Sequence, residues 1–224
     1  MAEILAPAGN FDSLVAAVRS GANAVYFGTG AFNARRNADN FDGDGLKRAV
    51  DFCHLHSVKC HITLNTLVSG SEFSELEKTV RLICESGVDA VIVQDLGVAR
   101  IVKRICPEMK MHASTQLSTG TLEGIRVLAD LGFSRAVLPR ELSKSEIKYI
   151  AENSPIELEV FVHGALCMSV SGQCLLSAML GSRSGNRGLC AQPCRLPFQI
   201  DGGTGTDLSL KDLSLVEYLS ELSD

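Results

Sequence analysis

Four cysteines within one Gly/Ser-rich segment are the residues of this chain best suited to chemistry. Cys167, Cys174, Cys190 and Cys194 follow one another with the spacing C-x6-C-x15-C-x3-C. A globular chain usually keeps single cysteines in its core, so this clustering needs a specific interpretation. Thiolates bind zinc and iron–sulfur clusters, and the segment 164–198 is therefore interpreted as a cysteine loop with a role of its own.

Four interpretations of these cysteines are open. Disulfides belong to oxidising compartments, and nothing else in the sequence suggests secretion. Independent buried thiols are the simplest alternative. Structural zinc is usually held by tighter C-x2-C pairs, and zinc is kept as the alternative metal. We favour a [4Fe–4S] cluster, because four thiolate ligands follow no fixed spacing and long Gly-rich loops offer backbone N–H groups to the sulfurs.

Composition limits the class of protein. The chain has 224 residues, of which 46% are hydrophobic and 21% charged, with a net charge of −5. These values predict one domain over residues 1–224 with a sizeable core. Glu3 stands where a signal peptide needs positive charge, and no run approaches the roughly 18 apolar residues of a membrane span. Eight cysteines without a secretory signal predict a cytoplasmic protein.

Short apolar strands alternate with amphipathic helices along the chain, from a first strand at 4–6 to a seventh at 158–162. Such alternation predicts an α/β fold with a parallel sheet covered on both faces. The first turn lacks G-x-G-x-x-G, which favours a TIM-barrel-like (β/α) barrel over an open sheet. Seven units leave the eighth strand missing, so we expect an incomplete barrel and a longer protein with further C-terminal domains. After the cysteine loop, the sequence predicts a small hairpin within 195–210. Asp212 is predicted to cap a last helix over 215–222.

Polar residues follow the predicted strands, and the carboxyl ends of parallel barrel strands share one rim, where such folds place their active sites. We therefore expect the cysteine loop and these residues to converge on one mouth. The candidate catalytic residues are Asn65, His112, Gln116, Glu141 and His163. The candidate groups for binding an anionic substrate are Arg35, Arg140, Arg183 and Arg187.

Each candidate also has a structural alternative. His112 and His163 lie within or at the ends of apolar strands, where a hydrogen-bonded core histidine is at least as common as a catalytic one. Glu141 with Arg140 forms a local ion pair in the simpler interpretation. Asn65 and Gln116 are equally able to satisfy loop backbone, and Asp95 to cap the helix that follows it.

Several motifs resemble one known family. HGALCMSVSGQC and GNRGLCAQPCR, together with LAPAGNFDSL, AVYFG, HASTQLS, LPREL and SLKDL, are similar to the signatures of the collagenase-like peptidases, peptidase family U32. The resemblance covers essentially the whole chain. Relatives within this family are implicated in hydroxylating pyrimidines of tRNA or ribosomal RNA, so the resemblance implies such an activity. The four cysteines match the cysteine pattern of this RNA-modifying branch of the family. By this resemblance they carry over as cluster ligands.

Three functions follow as hypotheses. The first is an iron–sulfur-dependent, oxygen-independent hydroxylase, or its subunit, acting on RNA pyrimidines or another small aromatic or anionic substrate. The second is the peptidase of the family name, although no G-x-S-x-G, H-E-x-x-H or obvious Cys/His dyad is present. The third is a metal-stabilised scaffold without catalysis. We expect an RNA or small-molecule substrate, no membrane, and self-association through an unpaired barrel edge.

Overall fold

Seven parallel strands form the centre of the molecule in a computed structural model that describes residues 2–34, 36, 38–200 and 203–222. Each strand pairs with the next one in sequence. The strands are β1 (Leu5–Pro7), β2 (Ala24–Gly28), β3 (Lys59–Leu64), β4 (Ala90–Val93), β5 (Lys110–Ala113), β6 (Arg135–Val137) and β7 (Glu157–Glu159). The helices between them are α1 (Phe11–Arg19), α2 (Gly43–Leu55), α3 (Phe73–Glu85), α4 (Leu96–Ile105), α5 (Leu122–Asp130) and α6 (Lys144–Asn153). The predicted α/β fold with seven parallel strands is confirmed, and within the described residues six helices connect these strands.

Helix starts follow from short polar side chains at the ends of the preceding loops. The Asn10 side chain accepts a hydrogen bond from Ser13 N at 2.9 Å and completes a capping box at the start of α1. Ser143 does the same at α6, where Glu146 reaches back to the Ser143 backbone N–H at 2.7 Å. Asp95 Oδ1 accepts from Gly97 N at 2.7 Å, so its predicted capping role is confirmed at α4. These bonds satisfy N–H groups that a helix start leaves free.

The hydrophobic core lies between the outward-facing strand residues and the helices. Successive residues of a strand point to opposite faces, so one set of each strand enters this core. Val25, Phe27, Ile62 and Leu64 are buried there against helix residues such as Leu46. The other set, from Tyr26, Thr63 and Ile92 to Val137 and Glu159, faces the inside of the curled sheet, where these residues line one cavity.

The sheet curls into a half-barrel. Glu3, just ahead of β1, lies 3.1 Å (Oε1) from Nη1 of Arg135 in β6, a contact that a flat sheet of this strand order could not make. Within the described residues, no strand pairs with the outer edge of β1 or of β7. The prediction of an incomplete barrel is thus confirmed.

The chain after β6 departs from the predicted bounds. β7 ends at Glu159, whose carbonyl accepts from Leu138 N at 2.8 Å, whereas the predicted strand ran to Val162. Residues 160–162 are not strand because β6, the described neighbour of β7, ends at Val137 opposite Glu159. Its continuation, β8 (His163–Gly164), turns to pair antiparallel with β11 (Leu213–Ser214).

The segment that follows the cysteine loop is mostly extended. A hairpin of β9 (Phe198–Ile200) and β10 (Gly203–Gly205) lies within the predicted range 195–210. The predicted helix cap at Asp212 is wrong, because residues 213–214 are drawn into β11. A 3₁₀ turn at Val216–Tyr218 and a short α-helix over Leu219–Leu222 replace the expected last helix. None of the described helices has the length and apolar character that a bilayer crossing requires.

Candidate active site at the carboxyl ends of the strands

A cavity of about 290 Å³ lies at the carboxyl-terminal end of the half-barrel. Its walls combine interior strand residues with the loops that follow the strands. Four residues predicted from the sequence line it: Asn65, Gln116, Arg140 and Cys167. The predicted convergence of the strand ends and the cysteine loop therefore occurs at this cavity.

Asn65 follows β3 and holds a neighbouring loop. Its Oδ1 accepts a hydrogen bond from Ala34 N at 2.9 Å, which fixes the segment between β2 and α2. The cysteine loop packs directly on that segment, because a Cβ at Gly188 would lie 2.4 Å from Asn33 O. Asn65 thus satisfies loop backbone, as its structural alternative supposed, while also lining the cavity.

Gln116 lies in the 3₁₀ turn Thr115–Leu117, directly beneath the cysteine loop. Gly172 meets it so closely that a Cβ there would stand 2.8 Å from Gln116 Cβ. The Gln173 side chain adds a bond to the Gln116 carbonyl at 3.3 Å. Gln116 Oε1 is buried and has no hydrogen-bond partner among the described residues. Its backbone is therefore fixed, while its buried side-chain oxygen makes no hydrogen bond within the described residues.

Arg140 connects the rim to the cysteine loop. Its Nη1 donates to Ala165 O at 3.0 Å, and its guanidinium carbon lies 3.9 Å from the centre of the Phe161 ring, a cation–π contact. Arg140 Nε is buried and unpartnered within the described part of the chain. Glu141 is exposed and lies outside the cavity lining, and no ion pair with Arg140 is found among the described residues.

The four loop cysteines lie together as free thiols. Partial desolvation raises the pKa of Cys167, and the nearby charge of Arg140 opposes that effect. The neighbouring thiols of Cys190, Cys194 and Cys174 raise the pKa further. No disulfide joins these four cysteines.

Two sulfurs in the loop accept backbone hydrogen bonds. Leu176 N donates to Cys174 Sγ at 3.4 Å and Gln192 N donates to Cys190 Sγ at 3.3 Å. N–H groups aimed at sulfur are the surroundings that cluster-bound thiolates use. The donor set fits a metal group held by four thiolates beside the cavity.

The spacing of these sulfurs bears on the kind of metal group. A tetrahedral zinc with Zn–S bonds of about 2.3 Å needs sulfurs about 3.8 Å apart. The loop cysteines do not form such a set; in the described chain, the set of ligand atoms within 4.8 Å of one another belongs to His54, Cys60 and Asp89, at the opposite end of the strands. An iron–sulfur cluster separates its thiolates more widely, because each binds a different iron.

The predicted arginines have different surroundings. Arg187 pairs with Glu72 through two bonds, of 2.5 and 3.1 Å, and so ties the cysteine loop to the start of α3. Arg183 Nε donates to Leu189 O at 3.1 Å within the loop. Neither lines the cavity, whereas Arg140 does. Arg35 lies outside the described residues.

The predicted histidines are not in the cavity lining. His112 is buried inside the half-barrel, with its ring edge-to-face on His61 at 4.7 Å between centroids. Burial lowers the pKa of His112 to about 3 and that of His61 to about 4, so both rings are neutral at pH 7. His163 is exposed in β8 and pairs in register with Ser214.

Sequence reasoning missed Glu159, the last residue of β7, which also lines the cavity. Its Oε2 is buried without a hydrogen bond, and Arg135 Nη1 is 3.5 Å away. Burial raises the pKa of this carboxyl, and Arg135 offsets only part of that effect. The signal was present as two glutamates two residues apart, Glu157 directly before and Glu159 within the predicted strand 158–162. Such spacing puts both carboxylates on the same face of the sheet.

Comparisons with known proteins identify the family of this chain. The model of peptidase family U32 matches residues 9–224. The chain is 38% identical over 229 residues to the 23S rRNA 5-hydroxycytidine C2501 synthase of Escherichia coli, covering 99% of this chain and 34% of that protein. It is 34% identical to tRNA hydroxylation protein P1 of Bacillus subtilis, over 98% of this chain and 55% of that protein. The chain thus spans between a third and about half of the length of these curated relatives.

A solved structure supports the fold assignment. The U32 peptidase Mk0906 superposes with a TM-score of 0.65 at 14% identity, covering 93% of this chain and 90% of that one. At that identity the similarity concerns the fold alone. The family follows from the matched model together with the two curated relatives. The chain belongs to peptidase family U32.

Proposed function

We propose that this chain is the cluster-binding part of an oxygen-independent hydroxylase that modifies a pyrimidine of RNA. The observation that carries the proposal is the placement of Cys167, one of four loop thiols, in the lining of a cavity at the strand ends. A redox group held by that thiol would stand beside whatever fills the cavity. The relatives named for rRNA and tRNA hydroxylation supply the substrate class.

The proposed cofactor is a [4Fe–4S] cluster on Cys167, Cys174, Cys190 and Cys194. Such a cluster, when bound, supplies one-electron transfer. Replacing a ring C–H by C–OH takes two electrons from the base and adds one oxygen atom. That oxygen comes from a co-substrate of the oxygen-atom donor class, which is reduced by two electrons in the same turnover. We place this reaction in the cytoplasm, where RNA and reduced thiols occur together.

The chain's own residues would bind and orient the substrate. Arg140 is held by Ala165 O and the Phe161 ring, so its charge is fixed beside the cavity. A fixed guanidinium favours an anionic or carbonyl-bearing ligand. Tyr26 and Phe161 add aromatic surface to the same walls, which suits a planar base.

Peptide hydrolysis is the alternative that the family description names. A Cys nucleophile needs a histidine or another base within hydrogen-bond reach. The described lining contains Cys167 but no histidine. The cavity therefore favours the hydroxylase over the peptidase.

The test is a metal analysis of the protein purified without oxygen, alongside Cys167→Ala and, as the matched control, Cys84→Ala outside the loop. We expect about four irons and about four sulfides per chain in the wild type and the control, and a loss in Cys167→Ala. Zinc or no metal in the wild type would refute the cluster. RNA incubated with the loaded protein and a cell extract should then gain one oxygen atom at a pyrimidine; cleavage of peptides without this change would establish the alternative.

A further inference from the structure

Three side chains of different chemistry converge at the amino-terminal end of the strands, away from the cavity. They belong to His54 in the last turn of α2, Cys60 in β3 and Asp89, the residue before β4. One imidazole nitrogen, the Cys60 sulfur and one carboxylate oxygen all lie within 4.8 Å of one another. Zinc is bound in proteins by ligand atoms of these three kinds.

Hydrogen bonds hold the Asp89 carboxylate close to the other two residues. Asp89 Oδ2 accepts from Cys60 N at 2.7 Å and lies 3.0 Å from His54 Nε2. A nitrogen and an oxygen bound to one tetrahedral zinc, each at about 2.0–2.2 Å from the ion, stand about 3.4 Å apart. The distance between His54 and Asp89 is close to that value. Because a carboxylate has two oxygens with several lone pairs, Asp89 can bind an ion and keep its bond from Cys60 N.

The site combines a buried ligand with two ligands that reach solvent. Cys60 is fully buried, whereas the side chains of His54 and Asp89 are 43% and 34% exposed. An ion can therefore enter between the exposed side chains, and a zinc ion that has lost its waters is smaller than the water molecule that the sulfur excludes. Cys53, also buried, shares a hydrogen bond with the Cys60 thiol. Such a partner orients a sulfur in the way that outer residues orient metal ligands.

A surface ion pair between His54 and Asp89 is the simpler interpretation. It explains two of the three residues, and exposed pairs of this kind contribute little stability. It gives no role to the Cys60 sulfur, which lies near both. The sulfur also decides which cation fits, because Mg²⁺ and Ca²⁺ take oxygen ligands, whereas thiolate and imidazole together favour zinc.

We propose that His54, Cys60 and Asp89 bind one zinc ion, with a water molecule at the fourth position. Binding breaks the S–H bond of Cys60 and releases its proton to solvent, so the sulfur binds as a thiolate. The ion joins the end of α2 to the beginnings of β3 and β4. Since the cavity lies at the opposite end of the strands, this ion stabilises the fold and takes no part in chemistry at the cavity.

Zinc content tests the site. Wild type, His54→Ala and Asp89→Asn are purified without oxygen, equilibrated with a small excess of Zn²⁺ and desalted, and the bound metal is counted by mass spectrometry. The loop cysteines are present in every sample, so the difference between samples reports this site alone. We expect wild type to hold one zinc per chain more than either variant, because loss of a ligand should weaken binding at least about a hundredfold.

The choice of variants separates metal binding from folding. The amide oxygen of Asp89→Asn still accepts from Cys60 N, so this variant keeps the structural bond and loses the charged ligand. His56→Ala is the matched control, because His56 directly follows α2 and its ring bonds to Phe52 O at 2.8 Å instead of joining the site. It should hold as much zinc as wild type. Thermal denaturation without added metal verifies that each variant is folded.

Cobalt identifies the sulfur as a ligand. Co²⁺ occupies the same tetrahedral sites as zinc, and a thiolate bound to it gives a charge-transfer band in the near ultraviolet. The difference spectrum between cobalt-loaded wild type and His54→Ala should contain this band. Equal zinc content in wild type and both folded variants, or a difference spectrum without the thiolate band, would overturn the proposal and leave the ion pair alone.

This site and the proposed function can fail separately. Iron on the cysteine loop and zinc at His54 are counted in the same metal analysis. Zinc that depends on His54 in a protein without iron would support this site and refute the cluster, and iron without that zinc would do the reverse.

Discussion

The two ends of the half-barrel interior differ in how their charged residues are paired. At the amino-terminal end, Arg135 lies 3.1 Å from Glu3 and 2.7 Å from Glu157, and Lys59 lies 2.8 Å from Glu3. At the carboxyl-terminal end, Gln116, Arg140 and Glu159 each keep a buried polar atom without a hydrogen bond among the described residues, although Glu159 Oε2 also lies 3.5 Å from Arg135 Nη1. A paired network satisfies its charges within the fold, whereas a buried atom without a hydrogen bond leaves its desolvation cost uncompensated.

The presence or absence of charge pairing distinguishes structural residues from candidate functional residues more clearly than residue type does. Histidines were predicted as catalytic candidates, yet His112 lies beside His61 towards the paired end and outside the cavity lining. Glu159 lies between the two ends, since it lines the cavity and also approaches Arg135. We infer that the paired end keeps the strands in place and thereby positions the unpaired end.

The largest expected effect comes from breaking the paired end. Arg135→Met leaves the carboxylates of Glu3 and Glu157 without their guanidinium, and the Arg135 side chain is only 10% exposed. We expect the unfolding free energy to fall by about 3 kcal/mol, because removing one partner leaves the other charges unpaired. For a domain of this size that loss lowers Tm by roughly 6–12 °C in thermal denaturation.

A surface pair provides the control for this prediction. Arg104 pairs with Glu77 on the exposed faces of α4 and α3. Arg104→Met should change the unfolding free energy by no more than about 0.5 kcal/mol, because exposed ion pairs contribute little. Similar losses in the two variants would show that the network around Arg135 has no special structural role.

An intermediate effect is expected where the cysteine loop meets the rim. Gly188 has φ +78° and Gly21 has φ +88°, so alanine carries a similar backbone penalty at both. Only at Gly188 would the new Cβ meet backbone, at 2.4 Å from Asn33 O, while nothing lies within 4 Å at Gly21. Gly188→Ala should therefore release the loop, raising its rate of proteolysis about tenfold over Gly21→Ala, the change that corresponds to about 1.4 kcal/mol.

The measurement is limited proteolysis with mass spectrometry of the cut sites. Cuts within 164–198 that appear at equal rates in both variants would mean that the loop does not depend on this close approach. Iron content, measured on the same samples, should fall with Gly188→Ala alone if loop placement also governs the cysteine site.

Much of this architecture could be predicted from the sequence, and the features that could not be predicted were missed for physical reasons. Strand–helix alternation and cap residues such as Asn10 and Ser143 act locally, so they place elements without knowledge of the fold. The end of β7 depends on whether a further strand pairs with it, which no local pattern records. Strand-end residues Asn65 and Gln116 could be placed at one mouth because parallel strands share direction.

The roles of those residues could not be predicted in the same way. Whether a polar atom is paired depends on loops far away in sequence, such as the 31 residues that separate Ala34 from Asn65. Glu159 was missed because a carboxylate in an apolar strand is a signal only once that strand's inner face is known to line a cavity. His112 was proposed because its position at a strand end does not reveal how deep it lies.

The smallest expected effect is also the sharpest contrast between the two ends, because its sign reverses. Burial alone would raise the pKa of Glu3, but hydrogen bonds from Lys59 and Arg135 lower it from 4.5 to about 2. Its charged form therefore stabilises the fold above pH 4.5, and that contribution is lost as the pH falls towards 2. Glu3→Gln should lower Tm by roughly 2–4 °C at pH 7, with the difference shrinking as acid is added.

Glu159 should behave in the opposite way. Burial raises its pKa above the ordinary 4.5, so the protein loses stability as the pH rises through the folded-state value, and none of that loss is present below pH 4.5. Glu159→Gln removes the charge and should raise Tm by about 1–3 °C at pH 8, with no difference at pH 4. Thermal denaturation of both variants across pH 4–8 makes the comparison. A loss of stability in Glu159→Gln at pH 8 would mean that this carboxylate belongs to the paired network around Arg135, and the distinction between the two ends would then fail at its central residue.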